Sequence, residues 1–120
     1  MSEPRDSVTA LWERRDALSP RDLAARAVIE SVVEQLDRGE LRTAEVDDAG
    51  EIVVHEWVKQ AILLLFCVRE MEVTEVGPFE FVDKLPLKSG FAAAGVRAVP
   101  GSSARWGAFL GRGVVLMRVT

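Results

Sequence analysis

The sequence predicts an α+β fold: a helical N-terminal part with short strands and a hairpin, leading into a glycine-rich tail whose six-residue step suggests a parallel β-helix coil. Three observations predict it. Apolar residues recur at helical spacing in three early segments, β-branched residues gather around turn signals between and after them, and the last stretch repeats small or aliphatic residues every six positions.

The elements follow in order. Residues 6–18 read as a short helix, with Val8, Leu11 and Trp12 on one face and Glu13, Arg14, Arg15 and Asp16 on the other. Ser19 then offers an N-cap, Pro20 a first helical position and Asp22 a first-turn acid, so a second helix is expected from there to about Asp37. Its stripe is Ala25, Val28, Ile29, Val32 and Leu36, and Arg38-Gly39 ends it with Gly39 in the left-handed cap. Leu41, Thr43 and Val46 precede the turn signal Asp47-Asp48-Ala49-Gly50, and Ile52-Val53-Val54 follow, which predicts a hairpin. His55 or Glu56 opens a third helix through Val58, Ala61, Ile62, Leu65 and Phe66. Being apolar on more than one face, it is expected to be the most buried.

Beyond Arg69 the chain turns extended. Val73 to Val76 precede Gly77-Pro78, then come Phe79, Phe81 and Val82, with Pro86 and Gly90 as breaks and residues 89–95 as a small-residue connector holding a helical turn. Ala104, Leu110 and Leu116 keep the six-residue step among Gly107, Gly111 and Gly113. A β-helix coil and an ordinary glycine-rich hairpin both remain open for this tail.

Composition narrows the function. In 120 residues the formal charge is −4, the pI is about 5.0, and the arginines are scattered, which argues against a dedicated nucleic-acid binder. The apolar run Ala61–Val68 is far shorter than the roughly 20 residues a membrane span needs, and no secretory signal is read at the N-terminus, so a soluble cytoplasmic protein is expected. The single cysteine, Cys67, cannot pair within the chain and reads as a small buried hydrophobe. With one histidine and no cysteine cluster there is no zinc pattern, and no phosphate-cradling glycine motif occurs. His55 fits a helix-start role better than that of a general base, Asp83-Lys84 reads as a pair across a turn before a substrate-positioning pair, and Trp12, Trp57 and Trp106 read as packing residues, the last partly exposed.

Several segments resemble one family. Val54-His55-Glu56-Trp57-Val58-Lys59-Gln60-Ala61-Ile62-Leu63-Leu64-Leu65-Phe66 is similar to the buried helix in the N-terminal domain of tetrahydrodipicolinate N-succinyltransferases. Phe81-Val82-Asp83-Lys84-Leu85-Pro86-Leu87-Lys88 resembles that family's F-x-D-K-hydrophobic-P-hydrophobic-K segment. Gly95 to Pro100, Arg105 to Leu110 and Val114 to Met117 resemble the entry to its left-handed β-helix, and Trp12-Glu13-Arg14-Arg15 its first helix.

The resemblance implies a division into residues 1–95, a helical N-terminal domain, and 96–120, the start of a left-handed β-helix. It implies a homotrimer that transfers succinyl from succinyl-CoA, a co-substrate rather than a bound cofactor, to the amino group of a dicarboxylate substrate in the diaminopimelate and lysine route. Arg97 matches the family's arginine that binds this substrate, and a guanidinium fork suits a carboxylate. Pro100-Gly101 stands where the family has Pro-Pro, and Arg118-Val119-Thr120 departs from its continuation, so the coil is expected to be truncated here. The family's catalytic aspartate and CoA channel are expected beyond residue 120, leaving no catalytic residue in this chain and little activity for it alone. The alternatives are a noncatalytic interaction module, or a nonfunctional fragment associating with a full-length paralogue.

Overall fold

Three helices meet on one apolar core, and two hairpins and a coiled tail are attached to it. The computed structural model describes residues 3–118, so Met1, Ser2, Val119 and Thr120, the ends of the two expected divisions, lie outside the described residues. Helix α1 (Pro4–Glu13) has proline in its first turn, where a missing N–H costs nothing, and buries Val8 and Leu11. It stops earlier than predicted. Arg14 leaves helical geometry and donates its N–H to Leu11, and a 3-10 turn, Arg15–Ala17, completes the segment while the Arg15 guanidinium covers the Trp12 ring at 4.4 Å.

Helix α2 (Leu23–Asp37) begins later than predicted. Ser19 to Asp22 close a β-turn through the Asp22 N–H to the Ser19 carbonyl at 3.0 Å, with Pro20 at the second turn position that proline favours. Asp22, not Ser19, is the N-cap: its Oδ1 accepts the Ala25 N–H at 3.4 Å. The expected stripe is in place, with Val28 partly buried and Val33 added to the buried set. Gly39 takes φ 78, the left-handed stop expected of it.

The first hairpin pairs β1 (Ala44–Val46) with β2 (Ile52–Val54), Ala44 opposite Val54 and Val46 opposite Ile52. Asp47 shapes its turn by accepting the Ala49 and Glu51 N–H groups at 2.9 Å. Helix α3 (Glu56–Val68) packs on both α1 and α2 and buries Val58, Ala61, Leu64, Leu65 and Val68. It is the most buried of the three, as expected: five of its 13 residues are buried, each to 1% exposure or less, against five of 15 in α2. The second apolar face foreseen for α3 is left open: Leu63 is 55% exposed, and Cys67, expected inside, is exposed one turn on. Both sit opposite the seam that α1 and α2 already occupy.

The second hairpin pairs β3 (Glu72–Val76) with β4 (Phe79–Asp83) in antiparallel register. Gly77 has φ 59, as the first position of a two-residue loop requires. Pro78, which cannot take positive φ, occupies the second, so the loop is of the II′ kind. One short helix, α4 (Phe91–Ala94), fills the predicted connector. In the tail, β5 (Arg97–Ala98) and β6 (Val115–Leu116) run parallel, each residue pairing with the one 18 positions later. That register equals three six-residue steps and excludes the hairpin reading of the tail, because a hairpin is antiparallel. Ala104, Leu110 and Leu116, the six-step positions, are all partly buried.

Because Leu64 is fully buried and Leu63 faces outward, Leu64→Ala should cost about 2–5 kcal/mol and Leu63→Ala less than about 0.5 kcal/mol. Urea unfolding followed by tryptophan fluorescence checks the contrast; equal losses would mean that α3 docks by another face.

Candidate functional site

Arg97 stands at the start of the coiled tail, so its position depends on what holds the tail to the helices. Neither core helix has a basic residue in its last turn, although each ends in carbonyls that favour a nearby cation. Two lysines four positions apart in the segment Asp83–Lys88 supply them. Lys84 Nζ donates to the Phe66 carbonyl at the end of α3 at 2.7 Å. Lys88 Nζ reaches Asp37 Oδ1 at the end of α2, also at 2.7 Å. The same Asp37 oxygen accepts the Gly107 N–H at 2.9 Å. One carboxylate thus gathers the α2 terminus, the segment after β4 and the tail.

The surrounding contacts tighten this junction. Backbone bonds run from Lys88 N–H to the Ala104 carbonyl at 2.8 Å and from Trp106 N–H to the Pro86 carbonyl at 2.9 Å, bracketing an antiparallel bridge between Leu87 and Arg105. Trp106 packs against the core, partly exposed as predicted, and its Nε1 donates to Glu34 Oε1 at 2.7 Å. Arg69 donates to the Lys84 carbonyl at 2.6 Å and to Glu30 Oε1 at 2.9 Å, with its guanidinium 5.3 Å from the Trp106 ring centre.

The turn pair expected between Asp83 and Lys84 does not form between their charges. Asp83 Oδ1 accepts the Lys84 backbone N–H at 2.8 Å and Oδ2 accepts from Arg105 at 2.9 Å, while the Lys84 ammonium turns away to α3. The Arg105 hydrogen bond, followed by the Lys84 N–H, holds the Asp83 carboxyl below the ordinary carboxylate range, against a small opposing effect of burial. His55 sits at the N-cap of α3, with Nε2 2.7 Å from Glu45 Oε1 of β1, a junction contact between hairpin and helix.

Arg97 itself is exposed. Its backbone is held by its N–H to the Val114 carbonyl at 3.0 Å, just after the buried Val96. Among the described residues its guanidinium makes no ion pair, so the surface salt bridge that is the commoner fate of such an arginine is not made. An apolar recess of about 530 Å³, walled by Leu36, Ile62, Phe66, Trp106 and Phe109, lies beside the junction and does not include Arg97. Among the described residues no three His, Cys, Asp or Glu side chains gather as metal ligands, and no helix is long and apolar enough to cross a membrane.

Sequence reasoning missed Asp37, Glu34 and Arg69. Each lies on or just after a helix whose local pattern is complete without it, and its partners lie up to 72 positions away. The local signal was present but indirect: two helices lacking C-terminal cations, and a later segment with two spaced lysines.

Asp37→Ala should cost about 1–3 kcal/mol, because it strands a half-buried ammonium and an N–H, whereas the Asp37→Ala/Lys88→Met pair should cost less than the two single changes added together. Urea titrations of the four proteins measure this coupling, and strict additivity would show that the two groups act separately. Asp83 carries a depressed pKa, so its hold on Arg105 is complete above the ordinary aspartate pKa of about 3.9 and is lost as pH falls through the lower folded value. Arg105→Met should move the Asp83 titration back up towards that value in carboxyl carbon NMR.

The chain is similar to known proteins. Residues 4–68, more than half of the chain, match the family described as "Tetrahydrodipicolinate N-succinyltransferase N-terminal". Among curated proteins, the 2,3,4,5-tetrahydropyridine-2,6-dicarboxylate N-succinyltransferase of Bordetella avium is 41% identical over 119 residues, covering 92% of this chain and 43% of that protein. The protein of the same name from Aeromonas hydrophila is 40% identical over 125 residues, covering 98% of this chain and 45% of its own length. The chain therefore spans less than half the length of the curated relatives it matches, and within that span it belongs to the tetrahydrodipicolinate N-succinyltransferase N-terminal family.

Proposed function

We propose that this chain is the N-terminal part of an acyltransferase that moves succinyl from succinyl-CoA to the amino group of a tetrahydrodipicolinate-type dicarboxylate, on the diaminopimelate and lysine route. The relatives' names state an N-succinyltransferase, and that activity is carried to this chain through the shared family. In such a transfer the substrate nitrogen attacks the thioester carbonyl, a C–N bond forms, the C–S bond breaks, and the nitrogen's proton leaves with the help of a base while CoA departs as the thiol. In this reading residues 1–95 are the helical domain and 96–120 begin a left-handed β-helix. The enzyme is a cytoplasmic homotrimer, and the catalytic groups belong to the portion of the relatives beyond the matched span.

The observation that carries the reading is the parallel β5–β6 pair. Its register of 18 positions is what a triangular coil of three six-residue sides needs to stack one rung on the next. On the first rung Arg97 presents an exposed guanidinium with no ion pair among the described residues, suited to gripping a substrate carboxylate through two parallel N–H bonds. The double lysine clamp supports the rung rigidly on α2 and α3.

Two assays test this. The purified chain with succinyl-CoA and L-2-aminopimelate should give no turnover, and measurable turnover would place catalytic groups within residues 1–120. A fusion of this chain to the remaining portion of the Bordetella avium relative should be active. In that fusion Arg97→Met should raise KM for the dicarboxylate roughly 10- to 100-fold, the worth of a charge-assisted bond. An unchanged KM would remove Arg97 from the site.

A further inference from the structure

Charge in the last part of the chain is one-sided. Residues 84–120 hold six basic residues and no acid. Three of the six have partners within the chain: Lys84 at the end of α3, Lys88 on Asp37 and Arg105 on Asp83. Arg97, Arg112 and Arg118 are exposed and make no ion pair among the described residues.

The β5–β6 register decides where these three lie. It sets the turn before β6 beside the turn before β5, with the Gly113 N–H on the Gly95 carbonyl at 2.8 Å. Arg112 comes one residue earlier and runs along the bare backbone of Gly95. A Cβ on Gly95 would stand 2.7 Å from Arg112 Nη1 and 2.9 Å from its Cγ, so both the stem and the guanidinium lie against the glycine. Gly95 is two residues before Arg97, and two residues of extended chain span at most about 7 Å. The Arg112 guanidinium is therefore about one side-chain length from the backbone that carries Arg97. Arg118 is placed otherwise: it packs on Gly101, four residues past Arg97, with Cδ of its stem the nearest atom.

Two guanidiniums this close, with no carboxylate in their own stretch, repel each other until an anion stands between them. Each fork grips one carboxylate through two parallel N–H bonds, so the pair matches a ligand with two carboxylates. Contact with Gly95 already restrains the Arg112 stem, which lowers the entropy lost on binding. We infer that Arg112 is a second arginine for the dicarboxylate, taking one carboxylate while Arg97 takes the other. This rests on the reading of Arg97 given above and deepens it. Arg97 alone accepts any carboxylate, whereas the two together select a diacid over a monoacid. Gly95 is the positioning residue, because a side chain there would lift Arg112 off the backbone.

NMR of the arginine Nε–Hε groups in the full chain tests it. The diacid probe is L-2-aminopimelate and the monoacid is L-2-aminoheptanoate, of equal carbon count, titrated at constant ionic strength. The diacid should shift the resonances of both Arg97 and Arg112, and the monoacid that of Arg97 alone. Arg112→Gln should weaken diacid binding about tenfold or more and monoacid binding less than about twofold. Arg118→Gln should change neither. An Arg112 resonance that answers diacid and monoacid alike overturns the inference, and so does an Arg112→Gln variant with wild-type circular dichroism and wild-type diacid affinity. A shift of Arg97 beside a silent Arg112 overturns this inference and leaves the earlier reading standing, whereas a silent Arg97 overturns both.

Discussion

The Asp37 carboxylate is the hinge on which this architecture turns. It closes α2, where the helix already presents unpaired carbonyls and the negative end of its dipole, so an acid there is unfavourable by itself, by about 0.3–1 kcal/mol. The position becomes favourable only when other segments bring positive charge to it. Lys88 brings an ammonium and Gly107 an N–H to the same oxygen. Side chains there are only 16% and 22% exposed, so the attraction is less weakened by water than at an open surface. A residue that destabilises its own helix has thereby become the place where three stretches of chain must coincide.

The same logic explains the spacing of Lys84 and Lys88. Helices α2 and α3 pack side by side, and each ends without a cation of its own. A short extended segment crossing both ends can serve them with lysines a few positions apart, and Pro86 between them keeps that segment from turning helical. Its carbonyl then takes the Trp106 N–H, so the returning tail is aligned by the segment that clamps the helices. Lys84, weighed with Asp83 as a substrate-positioning pair, is thus a structural cation, while Arg97 stays exposed and without an ion pair among the described residues.

What was legible in the sequence was local. Helical spacing located the buried faces of all three helices, and the Asp47–Gly50 signal located the first hairpin's turn, because these depend on near neighbours, while the stretches around Gly77-Pro78 read as extended without their pairing being predicted. The errors arose where two local options competed. Pro20 suits a helix start and a β-turn equally, and the turn prevailed because Asp22 reaches the helix N–H groups better placed than Ser19. Leu63 and Cys67 are apolar enough to be interior, yet α3 has only two helical neighbours and both lie on its other side. Of the candidate site, Arg97 was legible only through family likeness, since nothing in its surroundings within the sequence marks it. The network around Asp37 was not legible at all, because its partners are separated by 51 and 70 positions.

Gly39 shows how closely the end of a helix and the seat of the tail are joined. Its φ of 78 lets α2 stop where it does, a conformation that an L side chain adopts at a cost. A Cβ there would also stand 2.9 Å from the Phe109 ring, which lies over the bare backbone. The two demands are independent: one comes from the chain's own turn, the other from a residue 70 positions later. Relief of either leaves the other in force. Pushing Phe109 away would strain the bonds that the neighbouring Gly107 and Trp106 make to Asp37 and Glu34. The seat of the tail on the helices is therefore settled at the far end of α2, by a glycine and an aspartate two residues apart.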